Sequence, residues 1–176
     1  IKIIVTGSAS FDLYQKLGEP LTGRKITLRL FPLAQLELAK IEKLHETKAN
    51  LETRLIFGSY PEVILAKDDR EKIAYLRELA SSYLCKDILE MNGLKHSDKL
   101  IKILQLLAFQ IGSEVSYSEI AAQCGINKKT VEKYFDLLEK VFVIFKIRGF
   151  SRNLRKEVSK NHKYYFYDLG VRNVLI

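Results

Sequence analysis

This 176-residue chain has only 3 prolines and 2 cysteines, and no run of about 18 or more uncharged apolar residues. Scarce proline beside a hydrophobic fraction of 47% excludes global disorder and leaves enough apolar side chains to bury a real core, in one domain or two small ones. Without a long apolar run no membrane span is expected, and Ile1-Lys2-Ile3-Ile4-Val5 is too short for the apolar region of a signal peptide. The expected location is the cytoplasm. Cys85 and Cys124 lie in helix-like patterns with no second cysteine or histidine at metal-ligand spacing, so they read as reduced thiols and no metal site is expected. Internal repeats and low-complexity linkers are absent too.

Positive charge is plentiful. Lys and Arg total 29 against 21 Asp and Glu, a formal charge of +8 and a pI near 9.4, which favours an anionic partner, nucleic acid or nucleotide phosphate before membrane. Lys146, Arg148, Arg152, Arg155, Lys156, Lys160 and Lys163 crowd one stretch against a single acid, Glu157. The competing reading of that stretch is a solvated basic loop.

The pattern of the chain is mainly α with small β elements. It opens without methionine, inside a β-type apolar run, Ile1 to Val5, that stops at Thr6-Gly7-Ser8, as a chain cut inside a domain would. A helix around Phe11 to Leu17 and alternation through Ile26, Leu28 and Leu30 make residues 1–32 a strand, helix, strand fragment. Helical spacing predicts a helix over Leu33 to Leu44 and another over Ala49 to Phe57, ending at Gly58. From Asp68 or Asp69 a long amphipathic helix is expected through Leu84, fraying near Met91-Asn92-Gly93, so that residues 33–96 form a helical connecting region. Ser97-Asp98 then caps a very apolar helix, Leu100 to Phe109, that should be central to the core.

Residues 97–176 read as a winged helix-turn-helix. Ser116 with Glu119 is a capping box, Gly125 ends the short helix it starts, and a second helix begins after Asn127. Val131, Tyr134, Phe135, Leu138 and Val141 fall on the inner side of that second helix. Two β-rich runs, Phe142 to Ile147 and Lys163 to Tyr167, flank a basic loop and make the wing. Lys128, Lys129, Thr130 and Lys133 lie at the start and outer side of the candidate recognition helix, while Arg152, Arg155, Lys156 and Lys160 reach phosphates from the wing. On this reading the expected partner is double-stranded DNA. The competing partner is a protein, or a second copy of the chain, with these lysines merely solvated. Tyr164, Tyr165, Phe166 and Tyr167 could offer stacking faces to a single strand, although strand alternation favours a core role.

Taken in order, Val5-Thr6-Gly7-Ser8-Ala9-Ser10, Leu21-Thr22-Gly23-Arg24-Lys25, Leu30-Phe31-Pro32-Leu33, Gly58-Ser59-Tyr60-Pro61-Glu62-Val63, Lys86-Asp87 and Tyr165-Phe166-Tyr167-Asp168-Leu169-Gly170 resemble one family. It is that of the prokaryotic AAA-type P-loop ATPases whose core is followed by a C-terminal domain of unknown function. The resemblance implies that residues 1–32 are the remnant of an α/β ATPase core, with Ser8 matching the polar sensor of the γ-phosphate and Arg24 a candidate arginine finger. It also implies that the phosphate-binding loop and the paired carboxylates for magnesium precede Ile1, so ATP and Mg belong to the full-length protein and this chain alone should not hydrolyse ATP. A nuclease-like region of the family would follow Ile176, so no nuclease site is assigned. An independent enzyme is poorly supported: Glu37 with Glu42, or Asp87 with Glu90, read as solvated charges without a histidine, nucleophile or metal partner.

Overall fold

A computed structural model of the chain describes residues 4, 6, 26–81, 97–149 and 162–176. The architecture is mainly helical with one small sheet. In order come α1 (Gln35–Leu38), α2 (Leu44–Ala49), α3 (Leu51–Phe57), α4 (Pro61–Leu65), α5 (Asp69–Glu78), α6 (Ser97–Phe109), β1 (Glu114–Val115), α7 (Tyr117–Cys124), α8 (Lys128–Lys140), β2 (Ile144–Ile147), β3 (His162–Phe166) and α9 (Leu169–Val174).

The single helix expected over Leu33 to Leu44 is broken. After α1 the chain turns through Ala39 to Glu42, and this turn carries the Glu42 carboxylate to Arg54 of α3, whose guanidinium also donates to Gln35 Oε1 at 2.8 Å. Pairing the two terminal nitrogens of that buried guanidinium overrides the apolar periodicity, and Leu38 is buried while Leu36, Ile41 and Leu44 stay exposed. Glu42 is therefore an ion-pair partner rather than the solvated charge its spacing suggests. Glu37 accepts from the Ala34 amide at 2.8 Å at the start of α1.

α3 ends where expected, at Gly58, whose φ of +77° belongs to glycine. The short helix α4 follows it, with Pro61 at its first position. Asp68 caps α5 by accepting from Glu71 N at 2.9 Å. α6 supplies the centre of the core, since Leu100, Ile103, Leu104, Leu107 and Ala108 are all fully buried.

Ser116 Oγ caps α7 by accepting from Glu119 N at 3.4 Å, and the Glu119 carboxylate accepts from Gln123 Nε2 at 3.3 Å. Gly125 (φ 65°, ψ 39°) closes α7 in the left-handed conformation and turns the chain into α8. Asn127 Oδ1 then accepts from Thr130 N at 2.7 Å. Every inner-face residue expected on this helix, Val131, Tyr134, Phe135, Leu138 and Val141, is buried.

The sheet is antiparallel in the order β1-β3-β2, pairing Val115 with His162, and Phe145 with Tyr165. The two-residue β1 and the short α9 are additions to the elements read from the sequence. α9 packs against α3, α5 and β3, and one continuous core runs from Val63 and Leu76 through α6 to α8 and on to Val171.

Candidate nucleic-acid interface

The outward side of α8 follows from its pattern: with Val131, Tyr134, Phe135 and Leu138 turned inward, Lys128, Lys129 and Lys133 are exposed on the opposite side. This surface is mixed in charge. Lys128 lies 3.7 Å from Glu132 as an i,i+4 pair, and Asp136 is exposed one turn further on. Thr130 is half-buried and its hydroxyl donates to Asn127 Oδ1 at 2.9 Å, so it fixes the helix start, the end that enters a groove when a helix reads DNA. Lys146, counted within the basic stretch, points to the other face of β2 and pairs with Glu139 at 3.2 Å.

Arg152, Arg155, Lys156 and Lys160 lie outside the described residues, as do Ser8, Arg24, Cys85, Asp87 and Glu90. Among the described residues no three histidine, cysteine, aspartate or glutamate side chains gather to hold a metal. Burial pushes the Cys124 thiol up, which disfavours a nucleophilic thiolate. No helix among the described residues is long and apolar enough to cross a membrane. A cleft of about 240 Å³ between α3, α5 and α9 is lined by residues such as Ile56, Ile73, Leu76, Arg77, Asn173 and Val174, and among the described residues no acidic, histidine or cysteine side chain lines it to act as a general acid or base.

The second centre is the buried carboxylate of Asp168, which the sequence reading named within the Tyr165 to Gly170 motif without giving it a role. Asp168 is 5% exposed; its Oδ2 accepts from Ser59 N at 2.7 Å and its Oδ1 from Val171 N at 3.1 Å. One side chain thus caps α9 and ties it to the α3–α4 junction. Burial pushes its carboxyl above the usual range, against the amides of Ser59, Val171 and Gly170, which favour the charged form. The two glycines explain how the parts approach: a Cβ on Gly58 would lie 2.0 Å from Asp168 Oδ1, and one on Gly170 would lie 2.0 Å from Phe57 O. α9 also closes two other helices. Asn173 Nδ2 donates to Leu55 O and Ile56 O at 2.9 and 2.8 Å, and Arg172 donates from Nε and Nη2 to Ala108 O at 3.1 and 2.9 Å. The available signal was Asp168 standing as a helix cap two residues before a glycine.

Residues 48–176 match the family model described as a domain of unknown function, DUF8612. An uncharacterized protein of Haemophilus influenzae is 27% identical over 184 residues, which cover 97% of this chain and 44% of that protein. Two uncharacterized proteins of Methanocaldococcus jannaschii are 25% and 30% identical over 165 and 123 residues, covering 85% and 69% of this chain and 37% and 26% of their own lengths. The chain spans less than half the length of these relatives. No solved structure matches it. Since the matched segment takes in most of the sequence, the chain belongs to the DUF8612 family of domains of unknown function.

Proposed function

We propose that this chain is the C-terminal part of an ATP-binding protein in which a winged-helix module, α6 to β3, contacts double-stranded DNA and is coupled to an upstream ATPase core. The order α6-β1-α7-α8-β2-β3, with the sheet ordered β1-β3-β2 behind a glycine-turned helix pair, supports the winged-helix reading. The observation that carries the DNA reading is the exposure of Lys128, Lys129 and Lys133 at the start and outer side of α8, in a chain of net charge +8. Coupling to an ATPase rests on the ordered motifs that resemble the AAA-type family. It fits relatives more than twice as long as the aligned chain.

The test is fluorescence anisotropy of a labelled duplex titrated with the chain at several salt concentrations, beside a Lys128→Ala, Lys129→Ala, Lys133→Ala variant. Each phosphate contact contributes about −0.9 to the slope of log K against log salt, so losing three contacts should flatten that slope by roughly 3. A duplex affinity and salt slope unchanged in the folded variant would reject α8 as the contact surface.

A protein-interaction or oligomerisation module is the second reading. Leu36, Ile41, Leu44, Leu51 and Leu65 are each more than half exposed across α1 to α4, which favours a protein-binding surface there. Sedimentation of the chain without DNA tests self-association directly.

A further inference from the structure

The outward face of the small sheet is aromatic. Alternation along β3 sends Tyr164 and Phe166 into the core and turns Tyr165 and Tyr167 to the other side, where each is half-buried. Phe145 stands opposite Tyr165 in the register, with the rings 5.8 Å apart and 23° from parallel. Phe145 also meets Tyr167 at 5.0 Å, and Tyr167 is stacked on Phe31 at 4.9 Å and 16°. Phe142 joins edge-on to Phe31 at 5.5 Å. These contacts make one continuous run of rings, and Phe31 at one end is 43% exposed.

Placing Phe142 there strains the backbone. Phe142 ends α8 at φ 59°, with Val143 N donating back to Leu138 O at 3.0 Å, the geometry of a helix end that favours glycine. A bulky aromatic in the left-handed region persists only where its side chain brings a compensating benefit. Cations border the rings. The Arg29 guanidinium lies 5.4 Å from the Phe142 ring centroid, and Lys163 is exposed on the same strand face as Tyr165. Glu114 is set beside Lys163 by the register, and Arg148 is exposed just past β2.

Flat rings edged by guanidinium and ammonium groups complement a polyanion that carries flat heterocycles. We infer that this face binds single-stranded nucleic acid, with unpaired bases stacking at the Phe31 and Tyr165 ends of the run and Arg29 and Lys163 meeting phosphates. A duplex keeps its base faces stacked inside and cannot use this surface. The site shares no residue with the lysine face of α8 and stands independently of the duplex reading.

The test titrates the 176-residue chain with labelled oligothymidylate and oligouridylate of roughly 12 nucleotides. Anisotropy is one readout, and quenching of tyrosine emission is the other, usable because the chain has 9 tyrosines and no tryptophan. Micromolar binding with quenching is expected; either oligomer supports the site, and the tighter one names the strand. The Phe145→Leu, Tyr165→Leu double variant keeps apolar bulk and should raise Kd about tenfold, as loss of one or two stacked bases implies. Phe142→Gly relaxes the helix end, so it should fold as well as the parent and still bind severalfold more weakly. The α8 triple alanine variant should leave Kd for the oligomers within about twofold while weakening duplex binding. The inference is overturned if the folded chain binds neither oligomer at low salt. It is equally overturned if the leucine and glycine variants bind unchanged, or if the α8 variant abolishes single-strand binding.

Discussion

Replacing Asp168 by alanine removes a buried acceptor shared by two backbone amides, Ser59 N at 2.7 Å and Val171 N at 3.1 Å. Hydrogen bonds to a charged group contribute about 1.5–3 kcal/mol each, so the gross loss is roughly 3–6 kcal/mol. Relief of the carboxylate's desolvation, the cause of its raised pKa, offsets part of this, and a net loss of about 3 kcal/mol is expected. With a urea m-value of about 2 kcal/mol/M, the unfolding midpoint should fall by about 1.5 M. Asp168→Asn retains an oxygen to cap α9 but turns an amide donor toward one of the two N–H groups, so about half the loss should remain. The pH dependence has a definite sign. Because the folded carboxyl is raised above its ordinary 3.8, its protonation adds an increment of stability that is fully present below that value and is lost as pH rises through the raised pKa, while the two amide hydrogen bonds to the carboxylate persist at neutral pH. The stability gap between the parent and the asparagine variant should therefore be widest at low pH and narrow toward neutrality. A midpoint shift under about 0.5 M for the alanine variant, or a gap that widens with pH, would refute this account.

Two further outcomes follow from the same geometry. Gly58→Ala forces a methyl to within 2.0 Å of Asp168 Oδ1 at a φ of +77°, so it should cost at least as much as losing Asp168 itself; a near-neutral urea midpoint would contradict the close approach. Asn127→Ala should lower stability by about 1 kcal/mol through loss of the α8 cap, while Asn127→Asp restores it, both read by urea unfolding.

The helix pair α7–α8 was legible because its signals are local. Ser116, Gly125 and Asn127 mark boundaries within a few residues of the groups they cap, and the inner face of α8 repeats at helical spacing. So the exposed lysines 128, 129 and 133 could be placed from sequence alone. What escaped was set by distant partners. β1 is two residues long and exists through its pairing with His162 and Lys163. The break in Leu33 to Leu44 depends on Arg54, and the importance of Asp168 on Ser59, 109 positions away. Of the aromatic quartet, the core reading holds for Tyr164 and Phe166, while Tyr165 and Tyr167 gain their outward stack from Phe31, Phe142 and Phe145 on three other parts of the chain.

The closure made by α9 also sets an order of events during synthesis. At about 5–20 residues per second, a ribosome needs roughly 5–20 seconds to carry the nascent chain from Ser59 to Asp168. Throughout that interval the α3–α4 junction lacks its carboxylate, and the last carbonyls of α3 and α6 lack Asn173 and Arg172. The early helices must wait, incompletely capped and with leucines exposed, in the kind of intermediate that chaperones recognise.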